Sequence, residues 1–210
     1  MLSANLVTIS VLTLTGVGLI FLARMAFQSR AQTARRRPLA TSLAAEGFAR
    51  KVRFPDPDLA FLAGIMHDIG QMVLLLSDSE RFERLRDQAK LYPHEGMVTA
   101  WEQEAYGFDH TKIGAAVLYR WDIDSIVCSA VLAHHADVPS DDPVSLDTIL
   151  WMADYITYTV DLGFLAEPPT PPQHILEIYG CADEDMRSQV GEQLCQAFEE
   201  ERTLLRLGSR

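Results

Sequence analysis

The sequence predicts an all-α protein: a helical bundle preceded by one candidate transmembrane helix. Three observations carry that prediction. From about Pro38 onward apolar residues recur at three- and four-residue spacing, with no strand-like alternation. Asp, Pro and Gly punctuate this pattern where helices start and stop. Residues 6–23 form an uncharged run of 18 positions that ends at Arg24.

The uncharged run comes first. As a helix it would span about 27 Å, close to the roughly 30 Å of a bilayer's hydrocarbon core. Arg24, Arg30, Arg35, Arg36 and Arg37 all follow it, and no basic residue precedes it. The positive-inside rule then puts the N-terminus outside and the body in the cytoplasm, tethered to the inner membrane by residues 6–23. A secretory signal peptide would want basic residues ahead of the run. Gly16, Gly18 and the hydroxyls of Thr8, Ser10, Thr13 and Thr15 suit a buried helix of a soluble domain equally well. Both readings stay open.

The helical body follows. A run from Leu39 through Leu43 to Phe48 closes at the Phe54-Pro55-Asp56-Pro57 turn. Asp56 or Asp58 can cap the next helix, which carries Leu59, Phe61, Leu62, Ile65 and Met66 and is interrupted by Gly70. Residues 80–90 read as a solvated surface helix around Phe82 and Leu85, and residues 95–106 as a helix stopped by Gly107. Asp109 and Asp124 are natural N-caps for two further helices, and Asp141, Asp142 and Pro143 open a long one through about Val160. Glu167-Pro-Pro-Thr-Pro-Pro172 is a stiff break before a last helix over about 184–207. The organisation expected is thus 1–37 as apolar segment plus Arg-rich juxtamembrane stretch, 38–165 as the helical domain, and 166–210 as break and C-terminal helix.

Charge narrows the partners. The net charge of −11 hides an asymmetry, because residues 1–37 hold five arginines and no acid. The remainder carries 13 basic against 29 acidic residues, a net of −16. Such a body repels phosphate backbones, which disfavours direct nucleic-acid binding. Cys128, Cys181 and Cys195 are odd in number and widely spaced, so they read as reduced thiols, Cys128 as a small core residue.

Six residues in apolar surroundings carry the chemistry: His67, Asp68, His110, His134, His135 and Asp154. Imidazoles and carboxylates are costly to bury singly, so several in one bundle interior point to a metal site or to an internal polar network. His67-Asp68 could tie two helices together, His134-His135 could bond Asp154, and His110 could be a partly exposed helix-start residue. His94, beside Pro93, and His174, in the proline-rich segment, read as surface residues.

The motifs also resemble a known family. "FLAGIMHDIGQMVLL" at 61–75 looks like the signature of HD-type metal-dependent phosphohydrolases. The run from Glu104 through Gly107, Asp109 and His110 to Gly114, with Trp121, "IVCSAVLAHH" at 126–135 and "ILWMADYI" at 149–156, resembles the HDOD branch over roughly residues 38–160. In catalytic relatives such as the HD-GYP cyclic-dinucleotide phosphodiesterases, an early histidine, the HD doublet, further histidines and a late aspartate hold the metals. Carried over by position, the resemblance implies His67, Asp68, His110, His134, His135 and Asp154 as ligands for a divalent metal (Fe, Mn or Zn). Asp68 would then be shared between two ions and be the catalytic candidate if the site is active.

Two departures oppose catalysis. The early histidine falls near Arg37-Pro38, where there is none, and Gln71 stands where catalytic relatives place a lysine. What the resemblance implies is a regulatory or scaffolding module of bacterial signalling, acting through signalling-protein partners. A phosphohydrolase acting on a nucleotide or cyclic dinucleotide is the alternative, and a nucleotide sensor using the degenerate site is a third. HDOD domains also carry a helical lobe ahead of the motif-bearing half. Residues 1–37 either replace that lobe with an anchor or are the remaining end of it.

Overall fold

The computed structural model describes residues 32–91, 98–136, 140, 142–162 and 170–207. The candidate membrane segment 6–23, Arg24, Arg30 and His94 lie outside the described residues. Among those described there are ten helices and no strand. They are α1 (Gln32–Val52), α2 (Pro57–Met66), α3 (Ile69–Ser77), α4 (Ser79–Leu91), α5 (Val98–Tyr106), α6 (His110–Arg120), α7 (Ser125–Ala133), α8 (Leu146–Thr159), α9 (Gln173–Tyr179) and α10 (Glu184–Leu207).

Local chemistry sets most boundaries as expected. Asp56 accepts from the Leu59 amide, Asp109 from Lys112 and Asp124 from Ile126, each capping the helix that follows. Gly107 takes a positive φ of 83° just past α5, where a side chain would be strained. Two expectations need correction. The long helix α8 is capped by Ser145, whose hydroxyl accepts from the Thr148 amide, and not by Asp142, while Asp141 lies outside the described residues. The break after α2 falls at His67-Asp68, not at Gly70, which lies inside α3.

Gly70 serves another purpose. A β-carbon there would come within 1.9 Å of the His110 carbonyl oxygen, so α3 and α6 touch backbone to backbone. Gly64 does the same for α2 and α1, with a β-carbon position 2.4 Å from Ser42 Cα. These two contacts press the HD doublet between α1 and α6.

The core runs from Ala44, Ala45, Phe48 and Ala49 of α1 through α2 and α7 to the wholly buried Ile149, Leu150, Trp151, Met152 and Ile156 of α8. Leu194 and Phe198 of α10 are buried too, with Leu194 in the same cluster, so the C-terminal helix packs onto the body. Burial of this size, at about 25 cal/mol per Å² of apolar surface, is what chiefly holds the bundle together. Residues 57–77 would also be apolar and long enough to cross a membrane, but 56% of an 18-residue window within them is buried inside the protein and the HD doublet breaks the stretch. Cys128 and Cys181 are buried, Cys195 is half-buried, and all three are free thiols.

Candidate metal centre

The six expected residues converge, and they reach the centre in two ways. Histidines and the doublet sit at helix ends: His67 ends α2, Asp68 precedes α3, His110 starts α6, and His134 ends α7 with His135 next to it. Asp154 projects from the middle of α8. His67, His110 and His134 are wholly buried, so His110 is not the partly exposed helix-start residue that its position suggested. His174, by contrast, is exposed on α9.

Each of the three buried rings is held by its Nδ1. His67 Nδ1–H donates to the Gly64 carbonyl at 2.7 Å, and His134 Nδ1–H donates to the Val131 carbonyl at 2.7 Å. These are the same helix-end arrangement three residues back, and a carbonyl can only accept, so in the neutral ring the lone pair is left on Nε2. His110 Nδ1–H donates at 2.6 Å to Glu102 Oε2, which also accepts from the His110 backbone amide at 2.7 Å. The Nε2 atoms of His110 and His134 are buried without a hydrogen-bond partner and lie 3.5 and 3.9 Å from Asp68 Oδ1. Asp68 Oδ1, His110, His134 and His135 each offer a donor atom, all within 4.8 Å of one another.

The other face of Asp68 is different. There the guanidinium of Arg37, from α1, places Nη1 2.9 Å from Asp68 Oδ2 and Nη2 2.6 Å from Asp154 Oδ1. His67 Nε2 lies on this side, 3.2 Å from Asp68 Oδ2 and 3.7 Å from Asp154 Oδ1. Sequence grouped Arg37 with an Arg-rich juxtamembrane stretch. It is instead 6% exposed and fixed by two carboxylates, one of them 117 residues away.

Burial opposes charge at every one of these groups, and neighbours decide the outcome. Burial would raise Asp68 and Asp154, but Arg37 and the neighbouring histidines together outweigh it and hold both below the usual carboxylate range. For Arg37 itself, burial is overcome by the same two carboxylates, so it stays charged. Burial and the surrounding imidazoles push His134 far down, and they push His135 down to about 3. Against burial, Glu102 and then Asp68 raise His110.

Sequence reasoning missed Glu102 and Arg37. Glu102 is wholly buried and orients the His110 ring, as an outer-shell carboxylate does for a metal-bound histidine. Gln71 donates from Nε2 to Asp68 Oδ1 at 3.2 Å, occupying the place of the lysine expected in catalytic relatives.

Three imidazoles and one carboxylate suit zinc, manganese or iron, and buried Nε2 atoms without a hydrogen-bond partner beside a carboxylate oxygen fit a cation. His110, His134, His135 and Asp68 would hold it. Such an ion supplies Lewis acidity and lowers the pKa of a water it binds.

With that geometry in place, the relatives can be compared. The HDOD domain family matches residues 7–137, more than half of the chain. The chain belongs to the HDOD domain family. The match takes in the HD doublet, His110, His134 and His135 of this HDOD protein, whereas Asp154 lies beyond it and is placed by the fold alone. No curated protein matches the chain. Among solved structures, a candidate signal transduction protein from Marinobacter aquaeolei VT8 superposes with a TM-score of 0.68 at 18% identity, over 83% of this chain and 39% of its own. An HDOD domain protein of unknown function from Geobacter sulfurreducens gives 0.56 at 20% identity, covering 80% and 59%. A candidate phosphohydrolase from Shewanella amazonensis SB2B gives 0.56 at 18%, covering 77% and 58%. At these identities the likeness is one of fold. The HDOD chain spans between 39% and 59% of the length of those three proteins.

Proposed function

We propose that this HDOD protein is a non-catalytic regulatory module of bacterial signalling that acts through contacts with signalling proteins. One observation carries the reading. Arg37 ties up Asp68 and Asp154, the two carboxylates that a catalytic ion on that side would need. The candidate signal transduction protein among the structural relatives supports it as well. The test is hydrolysis by full-length protein loaded with manganese, zinc or iron, using cyclic dinucleotides, nucleoside triphosphates and an aryl phosphodiester. The expected result is no turnover above that of Asp68→Asn. Metal-dependent turnover lost in Asp68→Asn would replace this reading with the phosphohydrolase one, which the four-donor cluster and the Shewanella relative support. Stabilisation by a nucleotide without turnover would indicate a sensor.

The proposed place of action is the cytoplasmic face of a membrane, with residues 6–23 as tether and the acidic body keeping clear of nucleic acid. The one-sided arginines support the tether. A family match that begins at residue 7 supports the other reading, in which the stretch is part of the HDOD domain. Full-length protein that needs detergent to leave the membrane fraction upholds the tether, and a freely soluble full-length chain removes it.

A further inference from the structure

The two oxygens of Asp68 face two differently equipped chambers. Oδ1 looks toward His110, His134 and His135 and accepts from the Gln71 amide at 3.2 Å, and His135 Nδ1 also lies 4.0 Å from Asp154 Oδ2. Oδ2 looks toward His67 and Asp154, where the protein presents acceptors and then fills the space between them with the Arg37 guanidinium. A guanidinium is planar, permanently charged and bidentate toward carboxylates. It therefore does for Oδ2 and Asp154 what a bridging ion would do, and it is covalently part of the chain.

We propose that this protein takes one divalent first-row transition ion, on Asp68 Oδ1, His110, His134 and His135, and that Arg37 is its built-in cation in place of a second. The buried charges point to the same number. Asp68, Asp154 and Glu102 supply three negative charges around the centre, and Arg37 supplies one positive. One divalent ion brings the set to neutrality, whereas a second would leave it two charges positive beside Arg37, or one positive with Arg37 expelled, in a low-dielectric interior. A second ion would also have to expel Arg37 from two carboxylates at 2.6 and 2.9 Å.

His67 is then a neighbour of the guanidinium, not a ligand, despite belonging to the HD doublet. This inference goes beyond the regulatory reading and stands apart from it. Turnover with a single ion would end that reading and leave this one intact, while two ions without turnover would do the reverse.

The experiment is metal counting on full-length protein, stripped with chelator, reloaded with zinc or manganese, desalted and assayed by plasma emission. Wild type is expected to retain one ion per chain. His134→Ala should weaken binding at least 100-fold in a chelator competition, whereas His67→Gln should keep one ion with affinity changed only a few-fold. Arg37→His, which returns an imidazole to the second chamber, should raise the count to two. If Arg37→His does not fold, the wild-type count and the contrast between His67→Gln and His134→Ala decide the matter. Two ions in wild type would overturn the inference. So would a folded wild type that takes none, or His67→Gln losing the ion as completely as His134→Ala.

Discussion

The arginine side and the histidine side of Asp68 solve the same electrostatic problem in opposite ways. On the arginine side charge is balanced within the chain, by a guanidinium between two carboxylates. On the histidine side the described residues supply no permanent cation: Asp68 Oδ1 accepts from the Gln71 amide, and the buried Nε2 atoms of His110 and His134 are without a hydrogen-bond partner. The first kind of balance belongs to folding, because removing a partner strands a buried charge. The second belongs to binding, because the histidines cost the apo protein little beyond their desolvation. The difference teaches that the same six-residue motif can be half structural and half receptive.

The largest expected effect separates the sides by stability. Arg37→Met strands Asp68 and Asp154, so metal-free protein should lose about 3–5 kcal/mol in denaturant unfolding. His134→Ala should cost the metal-free protein distinctly less while abolishing the stabilisation that added zinc gives wild type. Equal losses in the two variants without metal would break the comparison.

Next in size is Gly70→Ala. Its new methyl group would press on the His110 carbonyl and push α3 from α6, at a cost of about 1–3 kcal/mol. Because α6 carries His110 and α1 carries Arg37, metal affinity should fall while the Arg37 pair survives. A neutral effect on both would show that the two helices are not held as described.

Glu102→Gln sharpens the histidine side alone. The amide oxygen can still accept from the His110 amide, but the ring loses its anionic partner. Zinc affinity should drop about 10- to 100-fold, read by chelator competition, with metal-free stability little changed.

The smallest effect is on pH dependence, read on metal-free protein. His134 and His135 resist protonation when folded, His135 down to about 3, whereas unfolded histidine titrates near 6.5. Their contribution is present above about pH 6.5 and lost as pH falls below it. Asp68 and Asp154 are depressed in the folded state, so their contribution is present above about pH 4 and is lost only on going lower. His110, raised in the folded state, acts in the opposite sense, so the readout is the difference. Between pH 7 and 5 the denaturant midpoint of His135→Gln should fall less, or rise more, than that of wild type. An identical slope in both would remove the histidine side from the account.

The fold class was legible because helix signals are local. Asp56, Asp109 and Asp124 each cap a helix within three residues of themselves, and a sequence shows that directly. The break at His67-Asp68 was displaced to Gly70 because apolar residues run through both helices, leaving glycine as the visible interruption. The aspartates at 141 and 142 hid the role of Ser145 for a similar reason, three residues later. The site's membership was legible and its division was not. His67 and Asp154 stand in the motif as ligands, yet Arg37 meets Asp154 across 117 residues. Nothing in a run of three arginines singles out Arg37. Only its coincidence with the place of the family's early histidine marked the position. Glu102 left still less trace, since its partner His110 is reached only after the chain turns at Gly107.

The most direct test is anomalous X-ray scattering from crystals of the full-length protein soaked in zinc, with data collected either side of the zinc edge. One peak is expected among Asp68 Oδ1, His110, His134 and His135, with the Arg37 guanidinium still between Asp68 and Asp154. A peak between Asp68 and Asp154, with Arg37 swung away, would contradict it.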